Sequence, residues 1–339
     1  VMILGAVTVA TLYSLITDYL VASRLRKILG EQKIPRAGHV VVVGLTAVAM
    51  QSLDPMLKVQ VAALGATAPS AAPAAAGAYS LRADVAPSLS RAARDREAPW
   101  GQGCISFETT SAAKQCSYGV AGGSFTVALV GDSHLSHYFP AFQAAALANG
   151  WHLLVYFKTN CPFVDMRVRS LVLGREYREC AAWREEVIDK VNRVRPDLVI
   201  VGLFTIRHMR RADSTTQAKA AALARMIARL PGQVVINADS PVSRVDVPSC
   251  LRRNRADIRP CATPRKRALA GHDRVERRAA AIAGVPLIDL AYSVCVGAPC
   301  PAVVDNMIVF RDTHHLTATF ARSLGSEAAR LIRGVSAAP

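Results

Sequence analysis

The stretch Phe125-Thr-Val-Ala-Leu-Val-Gly-Asp-Ser-His-Leu-Ser-His137 decides how the rest of the chain is interpreted. Its first six residues carry no charge and are rich in large or β-branched apolar side chains, which is typical of a strand buried on both faces. Gly131 then allows a tight turn, and residues 135–149 have apolar side chains at helical spacing. Ser133 is therefore predicted on a strand-to-helix turn, at the sheet edge where open α/β sheets bind ligands.

The chain after residue 125 alternates between strand and helix patterns. Strands are predicted at 125–130, 151–156, 197–204, 233–237 and 286–290, and helices at 135–149, 177–194, 214–230, 264–284 and 317–333. Strands separated by helices indicate a parallel sheet with right-handed crossovers. We expect a five-stranded, three-layer, flavodoxin-like α/β sandwich.

A second motif near the end of the chain supplies what a serine nucleophile needs, namely a base within hydrogen-bond reach. The segment Phe310-Arg-Asp-Thr-His-His-Leu-Thr317 contains Asp312 and His315 at D-x-x-H spacing. In a short loop the carboxylate can contact one imidazole nitrogen and leave the other for the serine. The two motifs together predict a catalytic triad of Ser133, His315 and Asp312.

Each motif also has a structural alternative. Gly-Asp-Ser after a strand is often a plain turn or a helix cap, and a lone D-x-x-H is often a solvated helix start. A metal site is a further alternative, because free histidines bind zinc; its candidate ligands are Asp132, His134, His314 and His315. No spacing among these four residues demands a metal, so we expect no metal and no cofactor.

Gly131-Asp132-Ser133-His134 with Asp312-x-x-His315 resembles the SGNH/GDSL hydrolases, and most closely the SGNH domains fused to membrane O-acyltransferases of the acyltransferase-3 family. Those domains commonly read G-D-S-H in the first block and D-x-x-H-L-[ST] in the last, as residues 312–317 do here. The resemblance covers about residues 100–333. It implies the SGNH hydrolase fold and transfer of an acyl group, expected to be acetyl, to a cell-surface carbohydrate or glycolipid such as lipopolysaccharide.

The sequence departs from the wider family at the residues that hold the oxyanion. It contains no G-x-N-D block, and the third strand ends Gly202-Leu-Phe-Thr-Ile-Arg-His208. The remaining candidates for holding the oxyanion are Gly131 and Asn160. The backbone N–H of Ser133 is a further donor, and Thr205 or Arg207 could supply another. His134, His137 and Arg207 are candidates for contact with substrate. Loss of one oxyanion donor typically lowers the rate 10²- to 10³-fold. Such a loss suits slow transfer of an acyl group better than fast hydrolysis.

The eight cysteines fall as neighbours along the chain, and each pair flanks a loop. The pairs are Cys104 with Cys116, Cys161 with Cys180, Cys250 with Cys261, and Cys295 with Cys300. We therefore predict four local disulfides, although sequence alone does not fix the connectivity. Disulfides persist in oxidising compartments, so the domain is expected outside the cytoplasm.

The chain before this domain has a different character. Residues 1–56 are predicted as two transmembrane helices joined by a basic, cytoplasmic loop, with a buried helix as the alternative for the short second stretch, His39–Leu53. Residues 57–103 are rich in Ala and Pro and predict a linker or loosely packed extension. Residues 104–335 are then expected to form the extracytoplasmic SGNH domain. We expect the protein to be located in the cell membrane.

Charge and family resemblance together suggest the partners. The net charge of +16 favours anionic partners, or else reflects a basic proteome, and no nucleic-acid motif is present. The resemblance implies a membrane acyltransferase domain that presents the acyl donor, either upstream in a longer chain or as a separate protein. An extracellular carbohydrate esterase and a non-catalytic glycan-binding module are the alternative functions.

Overall fold

The structure is a computed structural model that describes residues 79–204 and 215–336. Within these residues a seven-stranded sheet has the order β1-β4-β3-β5-β6-β7, with β2 antiparallel beside β4 and all other pairs parallel. The strands are β1 (Ile105–Ser106), β2 (Cys116–Gly119), β3 (Thr126–Gly131), β4 (His152–Lys158), β5 (Leu198–Gly202), β6 (Gln233–Asn237) and β7 (Leu287–Ile288), and a separate hairpin contains β8 (Val303–Val304) and β9 (Met307–Ile308).

The helices of the described residues connect these strands. They are α1 (Ala98–Gly101), α2 (Ser133–Ser136), α3 (Phe139–Asn149), α4 (Arg178–Val194), α5 (Thr216–Ile227), α6 (Val247–Arg253), α7 (Arg265–Ala268), α8 (Arg274–Ala283), α9 (Ala291–Val294), α10 (Ala318–Ser323) and α11 (Gly325–Val335). Short 3₁₀ turns occur at Ala92–Arg94 and Arg259–Cys261.

Alternate side chains of each central strand enter two different apolar cores, because successive residues of a strand point to opposite faces. In β3, Val127 and Leu129 belong to one core, and Ala128 and Val130 to the other. Aromatic residues of α3 and α10 complete the first core, including Phe142 and Phe320, while Trp183, Leu223 and Ala279 of α4, α5 and α8 complete the second. Helices therefore cover both faces of the sheet, and the described domain has three layers.

The predicted α/β architecture is confirmed. The five predicted strands are β3 to β7, and they lie in the order β4-β3-β5-β6-β7, the flavodoxin-like arrangement. Strands β1 and β2 extend the sheet beyond β4 and were not predicted, because they are short and flank an irregular polar loop.

Three predicted helices are each divided in two. The helix expected over 135–149 becomes α2 and α3, because Pro140 lacks an N–H and its ring would clash with the carbonyl of Ser136 in a continuous helix. The helix expected over 264–284 breaks at Gly271 and Asp273, which adopt positive φ angles of 81° and 52°. The final helix, expected over 317–333, divides at Leu324 into α10 and α11.

We predicted a linker or loosely packed extension for residues 57–103, and the structure corrects this prediction for residues 79–103. Val85 and Ala92 are buried in the first core. The backbone of Ala86 exchanges hydrogen bonds with Asn306 and Ile308, and the carbonyl of Asp95 accepts the N–H of Ala318. Small apolar residues resemble a linker in composition, but here the far end of the chain supplies the surface against which they pack. Residues 57–78 lie outside the described residues.

All eight cysteines form the four expected disulfides, Cys104–Cys116, Cys161–Cys180, Cys250–Cys261 and Cys295–Cys300. Across residues 79–204 and 215–336, every helix falls short of the length or the apolar character that a membrane span requires. The two expected transmembrane helices fall in residues 1–56, which lie outside the described part of the chain.

Gly131 lies opposite Gly202 where β3 and β5 reach the carboxyl edge of the sheet. A Cβ atom at residue 131 would lie 2.1 Å from the carbonyl oxygen of Gly202, so the backbone would have to move.

We expect Gly131→Ala to lower the free energy of unfolding by about 1–3 kcal/mol or more, measured by urea denaturation. Gly101→Ala is the matched control, because a Cβ there meets no atom within 4 Å and should change stability by about 0.5 kcal/mol or less. Equal effects of the two substitutions would contradict this account.

Candidate active site

Ser133 lies at the point where β3 ends and α2 begins. Asp132 caps this helix: its Oδ1 accepts the N–H of His134 at 2.9 Å, and its Oδ2 accepts the N–H of Phe204 at 2.8 Å. The carboxylate thereby joins the ends of β3 and β5 to the start of the helix. From Val127 to Phe142, Ser133 is the one residue that is not buried, so the turn presents its hydroxyl at the surface.

The Asp312–His315 loop reaches this serine from the other end of the chain. His315 Nε2 lies 3.1 Å from Ser133 Oγ, and His315 Nδ1 lies 2.8 Å from Asp312 Oδ2. The structure thus brings together the three residues that the sequence predicted as a triad, across a separation of 182 residues between Ser133 and His315. In this geometry one imidazole nitrogen faces the hydroxyl and the other faces the carboxylate, as proton transfer from a serine requires.

The backbone of the same loop holds Asp312 in place. Asp312 Oδ1 accepts the N–H groups of His314 and His315, each at 2.8 Å. Partial burial opposes ionisation, but the hydrogen bond and charge of His315, together with the two backbone N–H groups, lower the pKa of Asp312 below its usual value. Asp312 is therefore an ionised carboxylate at neutral pH that orients His315 through Nδ1.

A buried ion pair supports the serine turn and the histidine loop together. Arg311 Nη1 lies 2.8 Å from Glu97 Oε2, and the two side chains are 2% and 1% exposed. Glu97 Oε1 also accepts the hydroxyl of Ser136 at 2.6 Å, and Arg311 Nη1 donates to the carbonyl of Leu316 at 3.1 Å. Burial opposes ionisation of Glu97, but the charge of Arg311 and the Ser136 hydroxyl lower its pKa. No sequence signal marked Glu97, because it falls in the Ala/Pro-rich stretch.

A second carboxylate–imidazole pair lies beside the triad. His134 Nδ1 is 2.5 Å from Asp239 Oδ1, and His134 Nε2 is 2.9 Å from His314 Nδ1. The ring of His134 stacks on Phe204, with centroids 3.8 Å apart. Sequence reasoning missed Asp239, although it follows β6 at the carboxyl edge of the sheet, where the rule for ligand sites in α/β proteins could have indicated it.

His134 and His137 were candidates for substrate contact, and their burial does not fit that expectation. Each residue is 1% exposed. Burial, the first cause, and the neighbouring histidines and Arg311 lower the pKa of His137 well below its usual value, so the ring is neutral. Within the described residues neither ring nitrogen of His137 has a hydrogen-bond partner. Arg207, the third candidate, lies outside the described residues.

The two oxyanion candidates have clear structural contacts. Gly131 permits the close approach of β3 and β5 noted above. Asn160 follows β4 in a left-handed conformation with φ of 55°, and its side-chain amide donates a hydrogen bond to Glu108 Oε1. The backbone N–H of Ser133 lies at the first position of α2, where helix geometry provides no intrahelical acceptor. Their role toward an oxyanion stays a prediction.

Among the residues that the structure describes, two groups of side chains have an arrangement that could hold a metal ion. His134, His314 and His315 bring ring nitrogens within 4.8 Å of one another, and so do the ligand atoms of His272, Asp273 and Asp289. Of the four residues that the sequence suggested as ligands, Asp132 is outside the first group, because its carboxylate caps α2. His134, His314 and His315 are engaged in the hydrogen bonds described above.

The parallel α/β sheet, with a serine at the end of its central strand and an Asp-x-x-His loop against it, is the architecture of an SGNH-type domain. The model of the SGNH domain (fused to AT3 domains) matches residues 103–330, and the chain belongs to this family. No curated protein matches the chain.

Solved structures to which this chain is similar share little of its sequence. The periplasmic domain of a lipopolysaccharide acetyltransferase from Salmonella ser. Paratyphi A is similar with a TM-score of 0.50 and 14% identity, over 63% of this chain and 85% of that one. A lipase/acylhydrolase from Enterococcus faecalis has a TM-score of 0.39 and 14% identity, over 63% and 98% of the two chains. An acetyl xylan esterase has a TM-score of 0.35 and 12% identity, over 60% and 98%.

Acidic side chains are buried beneath the site. Burial raises the pKa of Asp132 to about 7, against the opposing effect of its two backbone hydrogen bonds. Burial also raises the pKa of Glu276, in α8, well above its usual value, and the nearby charges of Asp239 and Asp132 add to the effect. Within the described residues neither carboxylate oxygen of Glu276 has a hydrogen-bond partner. The folded state therefore favours a protonated Glu276.

This burial predicts an unusual pH dependence of stability. Above pH about 4.5 the unfolded chain releases the Glu276 proton while the folded protein keeps it, so the free energy of unfolding falls as pH rises through this range. Glu276→Gln should remove that dependence. We expect the variant to be more stable than the wild type at pH about 8, by one or more kcal/mol, and close to it at pH about 4.

Urea denaturation at both pH values measures this difference. Glu176→Gln is the matched control, because Glu176 is largely exposed, with a side-chain exposure of 47%, and its replacement should have little effect at either pH. A stability difference between Glu276→Gln and the wild type that is the same at both pH values would show that ionisation of Glu276 is not its cause.

Proposed function

We propose that this chain supplies the SGNH domain of an O-acyltransferase that transfers an acyl group, acetyl in the simplest case, to a hydroxyl group of a cell-surface carbohydrate or glycolipid. The observation that carries the proposal is the contact of 3.1 Å between Ser133 Oγ and His315 Nε2, in a loop where Asp312 orients the imidazole. Membership of a family of SGNH domains fused to AT3 domains supports acyl transfer as the reaction.

The proposed reaction has two half-steps. His315 Nε2 accepts the proton of Ser133 as Oγ attacks the acyl carbonyl carbon, and the bond to the donor's leaving group then breaks as that group takes the proton from His315. The acyl group is now an ester of Ser133. His315 next accepts the proton of the acceptor hydroxyl, whose oxygen attacks the ester, and Ser133 Oγ recovers the proton as it leaves. Asp312 stabilises the imidazolium in both steps.

The negative charge on the carbonyl oxygen needs hydrogen-bond donors in each step. The backbone N–H of Ser133 is the first proposed donor, because it lies at the start of α2. Asn160 is the second, and its side-chain amide would have to exchange the carboxylate of Glu108 for the oxyanion. Such a site has fewer preorganised donors than a complete oxyanion hole, which fits slow transfer rather than rapid hydrolysis.

The proposed location is the outer side of the membrane. Four disulfides favour an oxidising compartment. A membrane acyltransferase domain would present the acyl donor, and residues 1–56 would anchor this domain beside it. The acceptor would be a glycan or glycolipid that is accessible from the same side.

An extracellular carbohydrate esterase is the second candidate. Ser133, His315 and Asp312 all belong to this chain, so water could replace the acceptor hydroxyl without any further group. Turnover of p-nitrophenyl acetate at a rate typical of esterases would favour this function, whereas slow turnover with acyl transfer to a sugar would favour the transferase.

A fluorophosphonate probe, which reacts with activated serines, tests the triad in the full chain. We expect labelling at Ser133, located by peptide mass spectrometry. Ser133→Ala and His315→Ala should each lower labelling and acyl transfer by several orders of magnitude, and Asp312→Asn by roughly 10⁴-fold, because the amide favours the wrong imidazole tautomer. Ser90 is exposed, and Ser90→Ala is the control, because it should leave labelling and acyl transfer unchanged. Absence of labelling at Ser133 in the wild type would indicate a non-catalytic module.

A further inference from the structure

Three side chains around β1 form a partly exposed cluster that the proposed reaction does not use. Phe107 is 43% exposed, although it is a large apolar residue. Its ring packs edge-on against Trp100, with centroids 5.4 Å apart and an angle of 88° between the planes. The guanidinium carbon of Arg96 lies 4.3 Å from the centroid of the Trp100 ring. Arg96, Trp100 and Phe107 are called the aromatic–arginine cluster below.

The backbone on both sides of β1 holds this cluster in place. Cys104 is joined to Cys116 in β2, and its N–H donates to the carbonyl of Pro99. Lys158, at the end of β4, donates to the carbonyl of Phe107 at 2.6 Å. The backbone that carries the two aromatic rings is therefore fixed before a ligand arrives, which lowers the entropic cost of binding.

The segment that carries Arg96 lies against the histidine loop. Its neighbour Asp95 accepts a backbone N–H from the first turn of α10 at 2.8 Å, and its other neighbour Glu97 pairs with Arg311. Burial and then the charge of Arg311 lower the pKa of Arg96, whereas the charges of Glu97 and Asp312 oppose this effect. The guanidinium of Arg96 is thus close enough to the loop of the triad to interact with its charges.

The cluster and the triad share one face and one edge of the sheet. Trp100 packs against the first core, to which Phe310 and Leu316 of the histidine loop also belong. Phe107 follows β1 at the carboxyl edge, and two strand spacings, from β1 to β4 and from β4 to β3, separate it from the serine turn. At ~4.8 Å per spacing this separation is about 10 Å. A glycan with one sugar at Ser133 would therefore place a neighbouring sugar at the cluster.

Arg96 is the member of the cluster that selects the kind of sugar. It has no hydrogen bond or ion pair among the described residues, although a guanidinium carries five N–H donors. Two neighbouring acids have partners of their own: Glu97 pairs with Arg311, and Glu108 accepts a hydrogen bond from Asn160. An anionic group on a sugar can occupy the donors of the guanidinium in a bidentate hydrogen bond.

We propose that the aromatic–arginine cluster is a binding site for a sugar unit of the acceptor glycan that carries a carboxylate or phosphate group, next to the unit that receives the acyl group. The inference rests on the proposed function, and it adds the chemical class of the acceptor. The apolar C–H face of the sugar ring packs against Phe107 and the exposed part of Trp100, and the anionic group accepts hydrogen bonds from Arg96. The site holds the acceptor while Ser133 carries the ester.

Binding of small sugars to the full chain tests the site without an acyl donor. The chain has three tryptophans, and Trp151 and Trp183 are buried, so the ¹⁵N–¹H signal of the Trp100 indole reports on the cluster. We expect this signal to shift to saturation with methyl galacturonide and with galactose 6-phosphate, at concentrations about tenfold below those needed for methyl galactoside. The sugar that binds more tightly identifies the anionic group. An absent or non-saturating shift, or equal affinity for the neutral sugar, would overturn the proposal.

Matched variants separate the contribution of the charge from that of the ring. Arg96→Gln should lower the affinity for the anionic sugars to that for methyl galactoside, whereas Phe107→Ala should weaken binding of all three sugars about five- to tenfold, because apolar contact is lost. Arg94→Gln and Leu147→Ala are the controls, because both residues are exposed and lie outside the cluster, and neither should change binding. An equal loss of preference in Arg94→Gln would assign the preference to overall charge and overturn the role of Arg96.

Labelling of Ser133 by the fluorophosphonate probe separates this inference from the proposed function. We expect normal labelling in Arg96→Gln and Phe107→Ala, since the probe needs no acceptor. Tetragalacturonate, which is long enough to reach from the cluster to the serine, should slow labelling of the wild type severalfold and that of Arg96→Gln much less. Absence of this protection would overturn the role of the cluster toward the acceptor and leave the triad intact. Absence of labelling in the wild type would instead overturn the proposed function, while sugar binding at the cluster would still be measurable.

Discussion

The buried ion pair between Glu97 and Arg311 is the constraint on which the site depends. It joins the segment before the sheet to the loop that carries Asp312 and His315, and through Ser136 it reaches the helix that follows Ser133. Buried ion pairs are poor sources of stability, because the cost of desolvation offsets most of the attraction. The geometry suggests another use: Arg311 also donates to the carbonyl of Leu316, so the pair fixes both ends of the histidine loop relative to the serine.

Much of the fold could be predicted because its central strands are continuously apolar. Residues 126–131 and 198–202 are buried on both faces apart from Thr126, and such segments predict parallel strands without reference to anything distant. The ion pair could not be predicted, since Glu97 and Arg311 are 214 residues apart and nothing in the sequence pairs Glu97 with the arginine beside the D-x-x-H motif. The same reason explains why residues 79–103 resembled a linker.

The candidate site was predictable only in part, for a related reason. Two short motifs identified Ser133, Asp312 and His315, because the required contacts within each motif are local. The sequence could not show which of the neighbouring histidines are enclosed. His134 and His137 flank the serine turn, yet both are buried, whereas His314 and His315 are partly exposed. Burial depends on how β5 and β6 end, and those ends supply Phe204 and Asp239.

Two aspartates at the site show that the same local contacts can accompany opposite shifts in pKa. Asp132 and Asp312 each accept two backbone N–H groups, an arrangement that normally lowers the pKa of a carboxyl. Asp312 also faces His315 and is partly exposed, so its pKa is lowered. Asp132 is fully buried near Asp239, and its pKa rises to about 7. Solvent access and the nearest side chain therefore shift the two pKa values in opposite directions, and Asp312, which lies against His315 Nδ1, is the carboxylate held in its ionised form.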